Sequence, residues 1–214
     1  MVYARQMYLV YKNEWRKNNK MNNRFKQQLE FIREIDKIKD IIRKTPRFDL
    51  KTYENDAEHS WHICMMALVL IEYSNRKDLD ILKVLKMLLV HDLCEIHAGD
   101  YIFYTEKQAE KERKEREGAE KIFGLLPKDQ TEEFYTLWEE FEARITPEAK
   151  FARVVDRLEP IMQNYYNDGK DWVKHKITSE MILEKNVIIK DGSEELWAFV
   201  QSMVGEIVER GIIK

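Results

Sequence analysis

The sequence predicts an all-α fold, a single-domain helical bundle with a metal site at its centre, and three observations predict it. Of 214 residues, 44% are hydrophobic, yet only 7 are Gly and 4 are Pro, too little turn chemistry for a sandwich of short strands. Apolar residues recur at three- and four-residue steps along most of the chain, the period of a half-buried helix. Finally, His59, His91, Asp92 and Asp156 stand on stretches that read as apolar helix. Groups of that kind must be paired or metal-bound if buried, and imidazole with carboxylate suits Mn, Co, Ni, Zn or Fe. A chain of this length closes one sizeable core.

Residues 1–21 read apart from the rest, with Arg5, Lys12, Arg16, Lys17 and Lys20 against Glu14 alone. They form an N-terminal extension: a partner-facing helix, a segment preceding a start at Met21, or a poorly ordered terminus. The bundle itself takes residues 22–214. Its first helix is predicted over 22–42, since Phe25, Leu29, Ile32, Ile35, Ile38 and Ile42 share one face, and it ends before Thr45-Pro46. A polar loop leads to Asp56, which is expected to cap a helix with His59 in its first turn, His62 one step behind as a possible extra ligand, and Trp61, Met65 and Leu68 inward.

The next helix, 81–96, carries Leu82, Leu85, Leu88, Leu89 and Leu93 together with His91 and Asp92. At about 100° per residue Glu95 falls between those two on the same face, where a carboxylate beside a metal can take a proton from water. An isolated His-Asp pair is more often a surface accident or a satisfied core hydrogen bond, so the pair needs support from elsewhere. Gly99 terminates this helix and Asp100 follows at the turn. Thr105 and Gln108 form a capping box for a helix of dense mixed charge. That density reads as a solvated face, with a lid in which Lys107 or Arg113 reaches a phosphate as the sharper alternative.

Pro127 opens a helix with Phe134, Leu137, Trp138 and Phe141 inward. Thr146-Pro147 opens the one carrying Asp156. Pro160 lies inside it and removes the N–H that would bond the carbonyl of Asp156. This kink either re-aims Asp156 or ends the helix, and in either case Asp168, in the following loop, is the substitute ligand. Helical stretches over 171–185, which includes the isolated His175, and over 193–210 complete the bundle.

Several separated segments carry a resemblance: Pro46-Arg47, Glu58-His59-Ser60-Trp61, His91-Asp92-Leu93-Cys94-Glu95 with Gly99-Asp100, Thr146-Pro147-Glu148-Ala149-Lys150, and Asp156-Arg157-Leu158-Glu159. The chain resembles the HD-domain metal-dependent phosphohydrolases over about residues 44–165, most closely the branch of 5'-deoxynucleotidases. The resemblance implies one divalent ion (Mn, Co, Mg, Zn, Ni or Fe) held by His59, His91, Asp92 and Asp156, catalytic help from Glu95, a substrate contact from Asp100, and a homodimer. It also implies a basic residue near the start of the match, Lys44 or Arg47.

Charge counting gives that base a role. Asp92 and Asp156 offset a divalent ion, so the loaded site is near neutral and a phosphate dianion needs a cation such as Lys44 or Arg47. The reaction that follows is release of phosphate from a (deoxy)nucleoside 5'-monophosphate. The alternatives are a phosphodiester or alarmone hydrolase of the same superfamily and a nucleotide sensor with a structural metal. Intact Glu95 and Asp100 argue against the sensor. With 36 basic and 39 acidic residues, the net charge of -3 offers no field for a nucleic-acid polymer. No apolar run is long enough to span a bilayer. Cys64 and Cys94 form no framework, which fits a reducing cytoplasm.

Overall fold

The computed structural model describes residues 22–48, 52–99 and 108–214. Asp100, Thr105, Lys107 and the extension 1–21 lie outside the described residues. Helix α1 (Asn23–Ile35) starts at an Asn22 cap whose side chain accepts from the Arg24 N–H. A 3-10 turn over Asp36–Asp40 follows. Here the sequence reading is corrected: the helix expected over 22–42 stops at Ile35, and Ile42 begins strand β1 (Ile42–Pro46), paired antiparallel with β2 (Tyr53–Asn55). The β-branched pair Ile41-Ile42 favours extended backbone, and Thr45 is pushed there by Pro46. Along α1 only Phe31 is buried, while Phe25, Leu29 and Ile32 are exposed.

Helix α2 (Asp56–Leu70) is capped by Asn55, not by Asp56 as expected. Asn55 Oδ1 accepts the Glu58 N–H at 3.0 Å and Glu58 Oε2 accepts the Asn55 N–H at 3.1 Å, a reciprocal capping box. Asp56 becomes the first helical residue and is fully buried. Helix α3 (Ile81–Val90) does not continue through residue 96. It tightens into a 3-10 turn over His91–Cys94 and resumes as a single turn, α4 (Glu95–Ala98), which Gly99 ends with φ +82°.

Helix α5 (Gln108–Phe123) is the mixed-charge helix. It approaches the 91–94 turn so closely that a Cβ on Gly118 would fall 2.4 Å from the Cys94 carbonyl oxygen. Helix α6 (Lys128–Ala143) buries Leu137, Trp138 and Phe141, and Arg144 ends it in the left-handed region. Helix α7 (Pro147–Tyr166), capped by Thr146 with Pro147 in its first turn, runs unbroken through Pro160.

Twelve residues of α7 are buried, and α2, α3 and α6 pack against it. So do α10 (Ile189–Gly192) and α11 (Glu194–Glu209). The stretch 171–185 divides into α8 (Lys170–Lys174) and α9 (Ser179–Asn186). The core is one cluster, from Ile63 and Leu88 through Phe141 and Val154 to Val200 and Ile207.

Candidate metal centre and catalytic cleft

Three elements bring the site together. Helix α2 supplies His59, the 3-10 turn supplies His91 and Asp92, and α7 supplies Asp156 from its centre. Ligand atoms of His59, His91 and Asp156 all lie within 4.8 Å of one another. Asp156 Oδ1 is 3.4 Å from His59 Nε2 and 3.5 Å from His91 Nε2. Asp92 Oδ2 stands 3.1 Å from His91 Nε2 and 4.0 Å from His59 Nε2. The aim of Asp156 is set by its neighbours: Arg153 Nη1 donates to Oδ2 at 3.2 Å, leaving Oδ1 for the imidazoles. Arg153 is held in turn by Glu142 at 2.8 Å and lies 4.0 Å over the Phe141 ring.

The donor set fits a divalent cation. His59 Nε2 and His91 Nε2 are buried without a hydrogen-bond partner, an expensive state for neutral nitrogen unless a cation takes the lone pair. The electrostatics say the same. Burial opposes charge on His91, yet Asp92 and Asp156 outweigh it and raise the imidazole to about 9. Burial and Arg43 oppose charge on His59, but Asp156, Glu159 and Glu54 hold it well above the usual imidazole range. Burial would raise the Asp92 and Asp156 carboxyls, but the histidines beside them depress both. A pocket that demands positive charge this strongly carries protons or a metal ion.

The cleft over these groups is a cavity of about 560 Å³. Glu95, only 7% exposed, lines it on the turn after His91-Asp92, as its spacing predicts. Lys44 also lines it, whereas Arg47 does not; the Arg47 N–H bonds the Thr52 carbonyl at 3.1 Å beyond the strand. Asp168 is not brought to the site. It pairs with Arg210 at the surface, with φ +59°. His62 packs beside the centre on Glu159, and His175 is among the residues that line the cleft. Arg113 pairs with Glu117 on the exposed face of α5, which fits the solvated reading rather than a lid.

Sequence reasoning missed Arg43. Its Nη1 is 3.3 Å from Asp92 Oδ2 and 3.4 Å from Asp56 Oδ1, and its Nε is 3.5 Å from Glu54 Oε1. Burial works against its charge, but Asp92 and Asp56 raise its pKa further above the arginine range. The signal was an arginine beside the β-branched Ile41-Ile42, readable only once that segment is seen as strand.

The HD domain family model matches residues 35–197. A 5'-deoxynucleotidase HDDC2 of Danio rerio is 34% identical over 63% of this chain and 66% of its own length. The chain thus spans just under two thirds of that relative. The Xenopus laevis HDDC2 is 31% identical over 78% of this chain and 92% of its own length. The crystal structure of a predicted metal-dependent phosphohydrolase from Magnetospirillum magnetotacticum is 42% identical, with a TM-score of 0.84 over 90% of this chain and 99% of that one.

Proposed function

Because this chain belongs to the HD domain family, we propose that its cleft releases phosphate from (deoxy)nucleoside 5'-monophosphates with one divalent ion held by His59, His91, Asp92 and Asp156. The observation that carries the reading is the convergence of two unpartnered buried imidazole nitrogens with Asp156 and Asp92 beneath a cleft lined by Arg43, Lys44 and Glu95. The names of the relatives, 5'-deoxynucleotidase and metal-dependent phosphohydrolase, support the substrate class. The ion is Mn, Co, Mg, Zn, Ni or Fe.

When bound, such an ion polarises a phosphoryl oxygen and lowers the pKa of a water at the site. The chain does the rest. Arg43, with Lys44 beside it on β1, takes the phosphate as a charge-assisted donor and exchanges its Asp92 contact for the substrate oxygens. Arg47 stands farther along the hairpin and is the weaker candidate for that role. Glu95 accepts the proton of the attacking water. As the P–O5' bond breaks, the departing oxygen takes a proton, and Asp100 supplies it or anchors a sugar hydroxyl.

Release of inorganic phosphate from a panel of nucleoside monophosphates, measured on metal-stripped protein with Mn, Co or Mg restored, tests this reading. Turnover requires the added ion and falls with Glu95→Gln. Phosphate release indifferent to both chelator and that substitution refutes it.

The same reading includes a cytoplasmic homodimer. Trp61, Met65, Leu68 and Val69 of α2 and Leu82 and Leu89 of α3 are exposed, an apolar surface that a second copy would cover. Cys64 and Cys94 are free thiols, and burial lifts Cys64 to about 11. Among the described residues no helix is long and apolar enough to cross a membrane.

A further inference from the structure

The two imidazoles of the centre are held from behind in different ways. His91 Nδ1 is 2.8 Å from the Leu88 backbone carbonyl, a neutral acceptor. His59 Nδ1 faces two carboxylates instead, Glu159 Oε2 at 3.4 Å and Glu54 Oε1 at 3.5 Å. Both glutamates are buried; Glu54 Oε1 also faces Arg43 Nε at 3.5 Å, and neither oxygen makes a hydrogen bond among the described residues. The other oxygen of Glu159 is gripped by His62 Nδ1 at 3.2 Å and by the Gln163 side-chain amide. His62 is about one-third exposed, so a polar chain runs from the surface through Glu159 to His59. None of Glu54, Glu159, His62 and Gln163 takes part in the reaction above.

Glu54, His62 and Glu159 have ligand atoms within 4.8 Å of one another, so a second ion is a conceivable occupant. The protonation of His59 argues against it. With Nε2 turned to the metal, a neutral ring carries its proton on Nδ1, and that N–H points between Glu54 and Glu159 where such an ion would lie.

We propose that Glu159, assisted by Glu54, is a positioning residue for His59. It accepts the Nδ1–H and fixes the tautomer that presents the Nε2 lone pair. Its negative charge also makes His59 the stronger donor of the two imidazoles. His62 and Gln163 hold the carboxylate in place. This rests on the reading of His59 as a metal ligand.

Calorimetric titration of metal-stripped full chain with Co²⁺, together with the visible spectrum of the cobalt-loaded protein, tests it without recourse to turnover. Glu159→Gln keeps the shape and removes the charge, and is expected to weaken cobalt binding roughly 10–100-fold and shift the ligand-field bands with stoichiometry unchanged. His62→Ala, at the partly exposed end, is expected to act in the same direction by less, and carries the test if Glu159→Gln does not fold. Affinity within twofold of the unaltered chain and an unchanged spectrum overturn the inference alone. So does loss of a whole equivalent of cobalt, which would make these residues ligands of a second ion. An unaltered chain that binds no cobalt overturns the metal reading and this inference together.

Discussion

Helix α11 buries Leu196, Trp197, Val200, Met203, Val204 and Ile207, whereas α2, packed on the same α7, buries Asp56 and His59 beside Ile63 and Ala67. On its outer face α2 shows Trp61, 66% exposed, along with Met65, Leu68 and Val69. The expectation that Trp61, Met65 and Leu68 point inward is therefore wrong, and the reason is physical. The buried polar groups Asp56 and His59 take inward positions of α2, so several of its apolar residues are displaced to the outside. Hydrophobic phase identifies the buried face where the core is only a core; around a buried cluster of polar side chains it misleads.

The largest effects that would break this comparison are chemical. Asp156→Asn or His91→Ala removes a donor from α7 or from the turn, and metal uptake by equilibrium dialysis should be lost along with phosphate release. Retained uptake would mean that the centre lies elsewhere. Glu95→Gln should lower kcat by roughly 10²–10⁴-fold while leaving uptake intact, since a general base contributes on that order. On the α11 side, Val200→Ala or Ile207→Ala should cost about 1–4 kcal/mol in urea unfolding, the range for truncating a packed aliphatic residue. Trp61→Ser on α2 should change the stability of the monomer by less than about 1 kcal/mol, as for an exposed position, while weakening self-association in sedimentation.

The smallest and subtlest test is pH. In metal-free protein His91 is raised to about 9, so its contribution to stability is complete below the unfolded imidazole value near 6.5 and is lost as pH climbs through 9. Asp92 and Asp156 are depressed, so their contribution is present above about 4 and is lost on acidification. Thermal melting of stripped protein should therefore peak between those limits and fall toward alkali. Metal loading should flatten the alkaline fall by replacing protons, with proton release measurable on binding. A metal-free protein equally stable at pH 6 and 9 would contradict this balance.

Much of the architecture was legible in residue order. The Thr146-Pro147 start of α7, the inward Leu137, Trp138 and Phe141 of α6, and the Gly99 stop appear where propensity and capping put them. His59, His91, Asp92 and Asp156 do converge, and Glu95 does line the same cleft. The hairpin was not legible, because Ile38 and Ile42 continue a helical spacing that tertiary packing overrides. Without the strand, Lys44 and Arg47 stand out in the sequence rather than Arg43, whose partners Glu54, Asp56 and Asp92 come from two other segments. Glu54 carries no local mark, and Glu159, legible only as part of the Asp156-Arg157-Leu158-Glu159 segment, has no role until the fold sets it against His59 of a distant helix.

The missing side chain at Gly118 carries a consequence of its own. Because α5 rests directly on the Cys94 carbonyl, a single added methyl would have to lever the helix off the backbone segment that holds His91 and Asp92. Inactivation of this protein therefore has a purely mechanical route, through a position that bears no reactive group and stands on a helix whose opposite face is washed by solvent.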